Sequence, residues 1–493
     1  MRPRRSPPLA GFLIGSVAFA AYVPTLSGGF LLDDRFYILA NETLRHPALW
    51  FRFLYDPLSV LAYPELARQV YRPAIGLYFG MLRLAGGENP YWYHLAALLL
   101  HAANTILLFL LARRLLARAT LPAAAAALLF ALHPAQAESV AYVGNAPTLL
   151  ATALALAALL AYGATPARRA LSAASFAMAL LCRESAAFLL PILPAFDRLF
   201  APQDESWRGR LRRWAPYAGI FAAYLAARTA VLGRIAQRDP WEGDWATHAV
   251  LALRGLLQDL AIAFWPARLR VCYSFPETAS LTAEALLASG ILAAAAAAAA
   301  LGLRRRSPAG FAGAWFLAAL LPVSNIIPLD ALAADRFLYA PLIGVGLLWG
   351  WALARLRPPA PAACLAALTL AAAAGLASLE RQLAWRDGFI LDLAAHATAP
   401  EDPCTGLNLS AHYYNWSMLD RAESLAIPAL AGSSPLHLRE AALARMAFIR
   451  IKAGRPAEAV PYLEKALAHA PRDTELQALL RWCSERRGAS PRR

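Results

Sequence analysis

The sequence predicts an all-α protein: a polytopic membrane helix bundle followed by a small helical domain. Three observations predict it. Apolar runs of membrane length recur along the chain, arginine clusters fall between alternate runs, and the membrane composition stops near residue 380. Of 493 residues, 59% are hydrophobic and 16% charged, whereas a soluble domain carries about a quarter charged residues and lacks repeated apolar runs of ~20. The net charge of +15 comes almost wholly from arginine. Because those arginines cluster between apolar runs, the charge reads as topology, and no nucleic-acid partner is expected.

Taken in order, the expected spans are 9–27, 91–112, 120–134, 146–163, 168–182, 185–200, 214–232, 284–302, 309–327, 335–353 and 361–379. The first begins like a signal peptide but stays apolar to Leu26, so it reads as an uncleaved anchor. RPRR at 2–5, RRLLAR at 113–118, ARR at 167–169, RGRLRR at 208–213, RRR at 304–306 and RLR at 355–357 belong on the cytoplasmic side. That works only if 248–266, which contains Arg254, Gln258 and Asp259, does not cross fully. It is expected to be re-entrant or to lie along the face, leaving about eleven crossings with the N-terminus inside and the C-terminus outside. The outer side then collects 28–90, 133–145, 183–184, 233–283, 328–336 and the tail; within 28–90, HPALWFRFLYDPL reads as a short interfacial helix.

The domain division expected is 1–380 for the membrane unit and 381–493 for the tail. Within the tail, RMAFIRIKAGRPAEAVPYLEKALAHAPRD resembles a tetratricopeptide repeat: Gly454 at the turn, Ala459 and Ala466 at the helix contact, Leu463 as the large apolar residue and Pro471 at the end. A degenerate unit is expected around 405–435 and a capping helix at 473–487. So short an array must lean on a neighbour. The five cysteines are scattered without a CxxC pair and read as buried apolar thiols.

Ionisable residues from five segments meet the outer boundary. They are Asp33 and Asp34, Arg72, His133 and Glu138, Arg183 and Glu184, and Asp335 and Arg336. Charges at that depth are costly and are usually paired or functional. Such a set can support group transfer from a lipid-linked phosphate. A carboxylate deprotonates an acceptor hydroxyl, arginines hold the phosphate leaving group, and a second acid orients the first or shares a divalent metal with it. Each residue alone also has a plainer reading, as a solvated loop acid, a structural clamp (Arg183 with Glu184, Asp335 with Arg336) or an interfacial histidine.

The segments LLDDRFYILAN, YRPAIGLYFGMLRLAGGENPYWYHLAALLLHAANTILL, FALHPAQAESVAYVGNAPTLLA, ALLCRESAAFLLP, DRFLYAPLIGVG and LAWRDGFILDLAAHATAP occur in that order. Together, from about residue 12 to 475, they resemble the transmembrane and tetratricopeptide-repeat O-mannosyltransferases and their bacterial relatives, within the GT-C class of integral-membrane glycosyltransferases. The resemblance implies transfer of a sugar, typically mannose, from a polyprenyl-phosphate carrier to a protein hydroxyl opposite the cytoplasm, with inversion. It places the catalytic acid at Asp34, with Asp33 close behind. Glu138 becomes an acid that positions the acceptor. Arg72, Arg183 and Arg336 become phosphate-binding, with His133, Glu184 and Asp335 in support. The family's Gly-Arg-x-Asp turn is replaced by Gly144-Asn145-Ala146-Pro147, and Arg183 stands where lysine is common.

The partners so implied are a polyprenyl-phosphate sugar, membrane lipid and a protein or envelope-glycan acceptor. No cofactor is assigned, and a metal is left open. The arginine- and alanine-rich style suggests a bacterial inner membrane. Rival functions are glycosylation of a lipid or envelope polysaccharide, and a non-catalytic scaffold. A transporter ranks last, because its charges would sit at the bilayer midplane.

Overall fold

The computed structural model describes residues 7–163, 165–201, 205–233, 244–276, 281–356, 359–469, 471 and 473–486. The RPRR stretch, Arg357 and the side chain of Cys364 lie outside the described residues. Every regular element among them is helical. The first helix, α1 (Pro7–Tyr22), continues as a tighter turn to Ser27. The loop after it carries short 3-10 turns and, at the place of the expected short interfacial helix, an eight-residue 3-10 helix over Pro47–Leu54. It also holds α2 (Pro57–Val60), α3 (Pro64–Ala67) and a longer helix, α4 (Pro73–Gly86).

The bundle proper continues with α5 (Pro90–Leu115), α6 (Thr120–Leu132), the short α7 (Gln136–Ala141), α8 (Ala146–Ala161), α9 (Pro166–Cys182), α10 (Leu189–Phe200) and α11 (Trp207–Leu232). Local sequence starts several of these. Asn89 and Thr165 accept N–H bonds from the first turns of α5 and α9, and a proline follows each cap. That is the pattern of a side-chain acceptor followed by a residue with no N–H to lose.

Next come α12 (Trp245–Phe264), α13 (Ala283–Arg304), α14 (Pro308–Leu320), α15 (Pro341–Leu356) and α16 (Ala360–Ala384). Among the described residues, six helices are long and apolar enough to cross a membrane: Pro8–Ser27, α5, Val143–Ala161, α11, α12 and α13. The protein is an integral membrane protein. By length α12 belongs with the spans, but its contacts place it across one end of the bundle. His248 near its start bonds the Asn325 carbonyl at 2.6 Å, Gly255 lies against Leu332, and Ala263 near its end meets His133. All three partners lie in loops at the same end, which agrees with a helix along the face.

Packing around α15 depends on glycine. A Cβ on Gly344 would sit 2.6 Å from the Ala312 carbonyl oxygen, and one on Gly346 2.5 Å from that of Ala126. The backbones of α14 and α6 therefore approach α15 more closely than a larger residue would allow, a common device between membrane helices.

The tail is built of α17 (Gly388–Thr398), α18 (Pro403–Asn415), α19 (Leu419–Ala426), α20 (Leu436–Lys452), α21 (Pro456–His469) and α22 (Thr474–Glu485). The pair α20–α21 is the repeat read from sequence. Gly454 turns with φ +74, and Ala459, Leu463 and Ala466 are buried. Two cysteines depart from expectation. Cys272 and Cys404 form a disulfide between the loop after α12 and the start of α18, while Cys182 and Cys483 are free and buried. The two partners stand 132 residues apart, so no local spacing announced the bond.

Candidate active site

The chain leaving α1 turns sharply at Leu31–Asp34, and the two aspartates diverge. Asp34 folds back. Its carboxylate accepts the Leu31 N–H at 2.9 Å and the Gly144 N–H at 2.6 Å, and it is fully buried. Burial pushes its carboxyl up to about 8, against the two N–H groups that favour the anion. Asp34 thus ties the first outer loop to the turn after α7. Gly144 is needed there, since a Cβ would fall 2.7 Å from the Tyr142 ring.

Asp33 points the other way, into a cavity of about 590 Å³. The Tyr142 hydroxyl donates to Asp33 Oδ2 at 3.1 Å, and the Tyr142 ring stacks on Trp385 where α16 meets the tail. Burial raises the Asp33 carboxyl, while the Tyr142 hydrogen bond and the Arg336 charge oppose the rise.

Four arginines line the cavity, and three of them, Arg72, Arg183 and Arg336, come from the loop segments read from sequence. Arg72, just before α4, makes a two-pronged contact with Glu184: Nε to Oε2 at 3.1 Å and Nη2 to Oε1 at 2.7 Å. Burial works to raise Glu184, but the Arg72 guanidinium outweighs it and holds the carboxyl below its ordinary value. Arg336 donates to Glu138 Oε1 at 2.6 Å through its side chain and to Oε2 at 3.1 Å through its backbone N–H. Arg183 differs. Its guanidinium donates to two neutral oxygens, Asn145 Oδ1 at 2.9 Å and Thr148 Oγ1. Burial, and then the like charge of Arg72, push it down to about 10.

The rest of the cavity is apolar. Leu190, Phe221, Leu225 and Leu321 line it, and Ile326 and Ile327 stand 64% and 52% exposed at its edge. One side is thus charged and the other greasy, and the rim presents hydrocarbon outward.

Of the residues read from sequence, Asp33, Arg72, Arg183, Glu184 and Arg336 share this cavity. Asp34 and Glu138 sit behind its wall and hold loops in place. Asp335 is deeper. It accepts from the Tyr273 hydroxyl at 2.5 Å and from Arg381 at 3.3 Å, and does not pair with Arg336. His133 is apart from the cavity, its Nδ1 facing the Ala135 N–H. Sequence reasoning missed Tyr142, Asn145, Arg228 and Asp330, all on the cavity wall. Arg228 left a signal: an arginine inside the apolar run 214–232 is a functional flag by itself. Among the described residues, no group of three or more His, Cys, Asp or Glu side chains is arranged to hold a metal ion.

No family model matches the chain. Among curated proteins, it is 36% identical over 156 residues to protein O-mannosyl-transferase Tmtc1 of Drosophila melanogaster, covering 30% of this chain and 17% of that one. It is 33% identical over 210 residues to Tmtc2 of the same fly, covering 40% and 22%. The human TMTC2 protein is 32% identical over 155 residues, covering 31% and 18%. The chain therefore spans about a fifth of the length of these relatives. Among solved structures, ArnT from Cupriavidus metallidurans bound to undecaprenyl phosphate aligns with a TM-score of 0.44 and 14% identity, over 92% of this chain and 79% of that one. Over the matched segments, the chain is similar to the transmembrane and tetratricopeptide-repeat protein O-mannosyltransferases.

Proposed function

We propose that this chain is an integral-membrane glycosyltransferase of the GT-C class that moves a sugar, mannose by analogy with its relatives, from a polyprenyl-phosphate carrier to a polypeptide hydroxyl. One observation carries the reading: Asp33 shares a single half-apolar cavity with Arg183, a half-buried guanidinium whose hydrogen bonds among the described residues go to neutral oxygens. A cation hydrogen-bonded to no carboxylate there suits an incoming anion. The greasy wall suits a prenyl chain, and the exposed isoleucines give it a route from the bilayer.

In this reading Asp33 accepts the proton of the acceptor hydroxyl through Oδ1, its Oδ2 being held by Tyr142. The acceptor oxygen bonds to the anomeric carbon as that carbon's bond to the carrier phosphate breaks. The phosphate leaves with the bonding electrons, and Arg183 stabilises the charge, aided by Arg72 and Arg336. Asp34 is assigned to positioning instead of proton transfer, because both its oxygens are taken by backbone N–H groups. Glu138 holds Arg336, Glu184 holds Arg72, and Asp335 with Arg381 fixes the strap that carries Arg336.

The site end is assigned to the non-cytoplasmic side of a bacterial inner membrane. The disulfide there suits an oxidising compartment, and the basic loops lie at the opposite end. The units proposed are 1–380 and 381–493. The test is transfer of label from radiolabelled polyprenyl-phosphate mannose in membranes holding wild type, Asp33→Asn or Asp34→Asn at equal expression. Label in protein, lost in Asp33→Asn, supports the reading. Label in a lipid or glycan fraction moves the acceptor to the envelope. No transfer in wild type removes the enzyme reading and leaves the scaffold.

A further inference from the structure

A second cavity, of about 220 Å³, lies beside the first, and the two share one strap of chain. The strap is 330–336, and Asp330 and Arg336 line both spaces. These are two of the charges that act on the Asp33 carboxylate, Arg336 lowering and Asp330 raising its proton affinity. The proposed base lines the first cavity, and the strap the two spaces share runs from the second cavity to that same wall. The first space is charged on one wall and greasy on the other. The second is less than half that size, and its lining sets Leu251, Val271, Phe275 and Leu332 beside Asp330, Arg336 and His437. Non-helical chain at 271–276 and 330–334 borders it, and Pro435 and His437 at the start of α20 bound its far side.

That far wall is fastened. Cys272 is bonded to Cys404, and Asp402 accepts from the Ser274 hydroxyl at 2.5 Å and pairs with Arg270 at 3.2 Å. A disulfide and a capped, ion-paired aspartate hold the tail against the loop after α12, so the space is framed by two separate parts of the chain. We infer that this second cavity is the acceptor subsite, taking the residues that flank the reacting hydroxyl of an extended polypeptide. This rests on the transferase reading above and adds the route of the acceptor.

Three features favour a polypeptide. The bordering segments are non-helical, the kind of chain against which extended peptides are commonly laid. The flanking charges, Asp330 and Arg336, balance, so neither an acidic polymer nor a basic one is selected. The outer boundary is the opening of the repeat pair α20–α21, and such helical arrays present surfaces to extended chains. A prenyl tail finds its match in the first cavity instead.

The test uses the full chain in membranes, polyprenyl-phosphate [³H]mannose and a serine- and threonine-containing peptide with a benzophenone beside the acceptor residue. Two reactions are followed: mannose release to water and mannose transfer to peptide. Ala333→Phe fills the second cavity from the strap, and His437→Trp narrows it independently from α20. Each is expected to raise the KM for peptide on the order of tenfold and leave release to water unchanged. Irradiation of wild type should label residues 271–276 or 330–334.

An unchanged peptide KM in both variants, with release to water intact, overturns the subsite but not the transferase. Photolabel confined to other segments overturns it as well. Protection of the label by a soluble oligosaccharide and not by unlabelled peptide overturns the polypeptide as occupant. If wild type neither releases nor transfers mannose, the transferase reading fails and the site of photolabelling alone decides whether a peptide docks here.

Discussion

The two ends of the helix bundle use arginine in opposite ways. At the end away from the cavity, Arg168 donates to the carbonyls of Leu160 and Ala161, where α8 finishes, and Arg198 donates to those of Leu303 and Arg304, where α13 finishes. These guanidiniums cover the orphan carbonyls of helix C-termini, where positive charge is favoured. At the cavity end, Arg72, Arg183 and Arg336 face inward, and their partners come from segments 35 to 198 residues away. Arginine at one end closes helices. At the other it is concentrated around an empty volume, and one of the three lacks a carboxylate. The same residue type caps helices in one place and gathers around a cavity in the other, and only its partners tell the two apart.

The sharpest way to break that comparison is at Asp33. Asp33→Asn removes the proposed base and keeps the shape, and is expected to lower transfer about 10³-fold, within the usual range for a general base. Asp34→Asn should retain measurable transfer, because it loses an acceptor for a backbone N–H and not a reacting group. Initial rates of label transfer at matched expression decide between them. A dead Asp34→Asn beside an active Asp33→Asn would return the base to the position the family motif indicates.

Arg183→Gln comes next. Removing the guanidinium that has only neutral partners should cost about 10²-fold in transfer, as loss of one oxyanion donor typically does, and the folded protein should survive because no carboxylate is stranded. Arg72→Gln contrasts with it. It takes from Glu184 its two-pronged partner and leaves that carboxylate only the fields of Arg183 and Arg228, so it should cost more stability than loss of a guanidinium bonded to neutral oxygens. The midpoint of thermal unfolding in detergent should therefore fall clearly for Arg72→Gln and little for Arg183→Gln. Equal losses of stability would mean that Arg183 is a structural clamp like Arg72.

Much of this architecture was legible in the sequence, for identifiable reasons. Apolar length and the Gly454–Pro471 pattern are local signals, and they located the long apolar helices and the repeat, while α12 combines the length of a span with contacts along one end of the bundle. The grouping of Asp33, Arg72, Arg183, Glu184 and Arg336 was legible because topology puts their loops at one end. What topology could not supply was direction. Adjacent side chains in the turn at Leu31–Asp34 point opposite ways, and only the Gly144 N–H shows that Asp34 faces the wall and Asp33 the cavity. The pairing of Asp335 with Arg381 in place of Arg336, and the bond between Cys272 and Cys404, were hidden for the same reason: each joins segments that no spacing rule connects.

A smaller effect probes how the base is tuned. Asp33 is raised by burial and lowered by the Tyr142 hydroxyl and the Arg336 charge. Transfer needs the ionised carboxylate, so activity should rise with pH through its pKa, with an acid limb above the ~4 of a free aspartate. Tyr142→Phe removes a group that lowers the pKa, so the limb should move to higher pH, and the loss should be largest in acid and small in base. A limb that stays in place would separate Tyr142 from the tuning of Asp33.

The smallest expected effect lies at the opposite end and tests the comparison most directly. Arg198→Gln removes a cation from the finish of α13, where its two bonds go to carbonyls that water or a lipid headgroup can also satisfy. Arg198 is exposed in those bonds and faces no cavity, so transfer rate, peptide KM and the pH limb should all stay at wild-type values. Any change should be confined to thermal stability, within about 0.5 kcal/mol, as for surface substitutions generally. A rate loss approaching that of Arg183→Gln would join the two ends functionally. It would mean that the arginines read as topology also shape the cavity, by fixing the tilt of α13 and α10 beneath it.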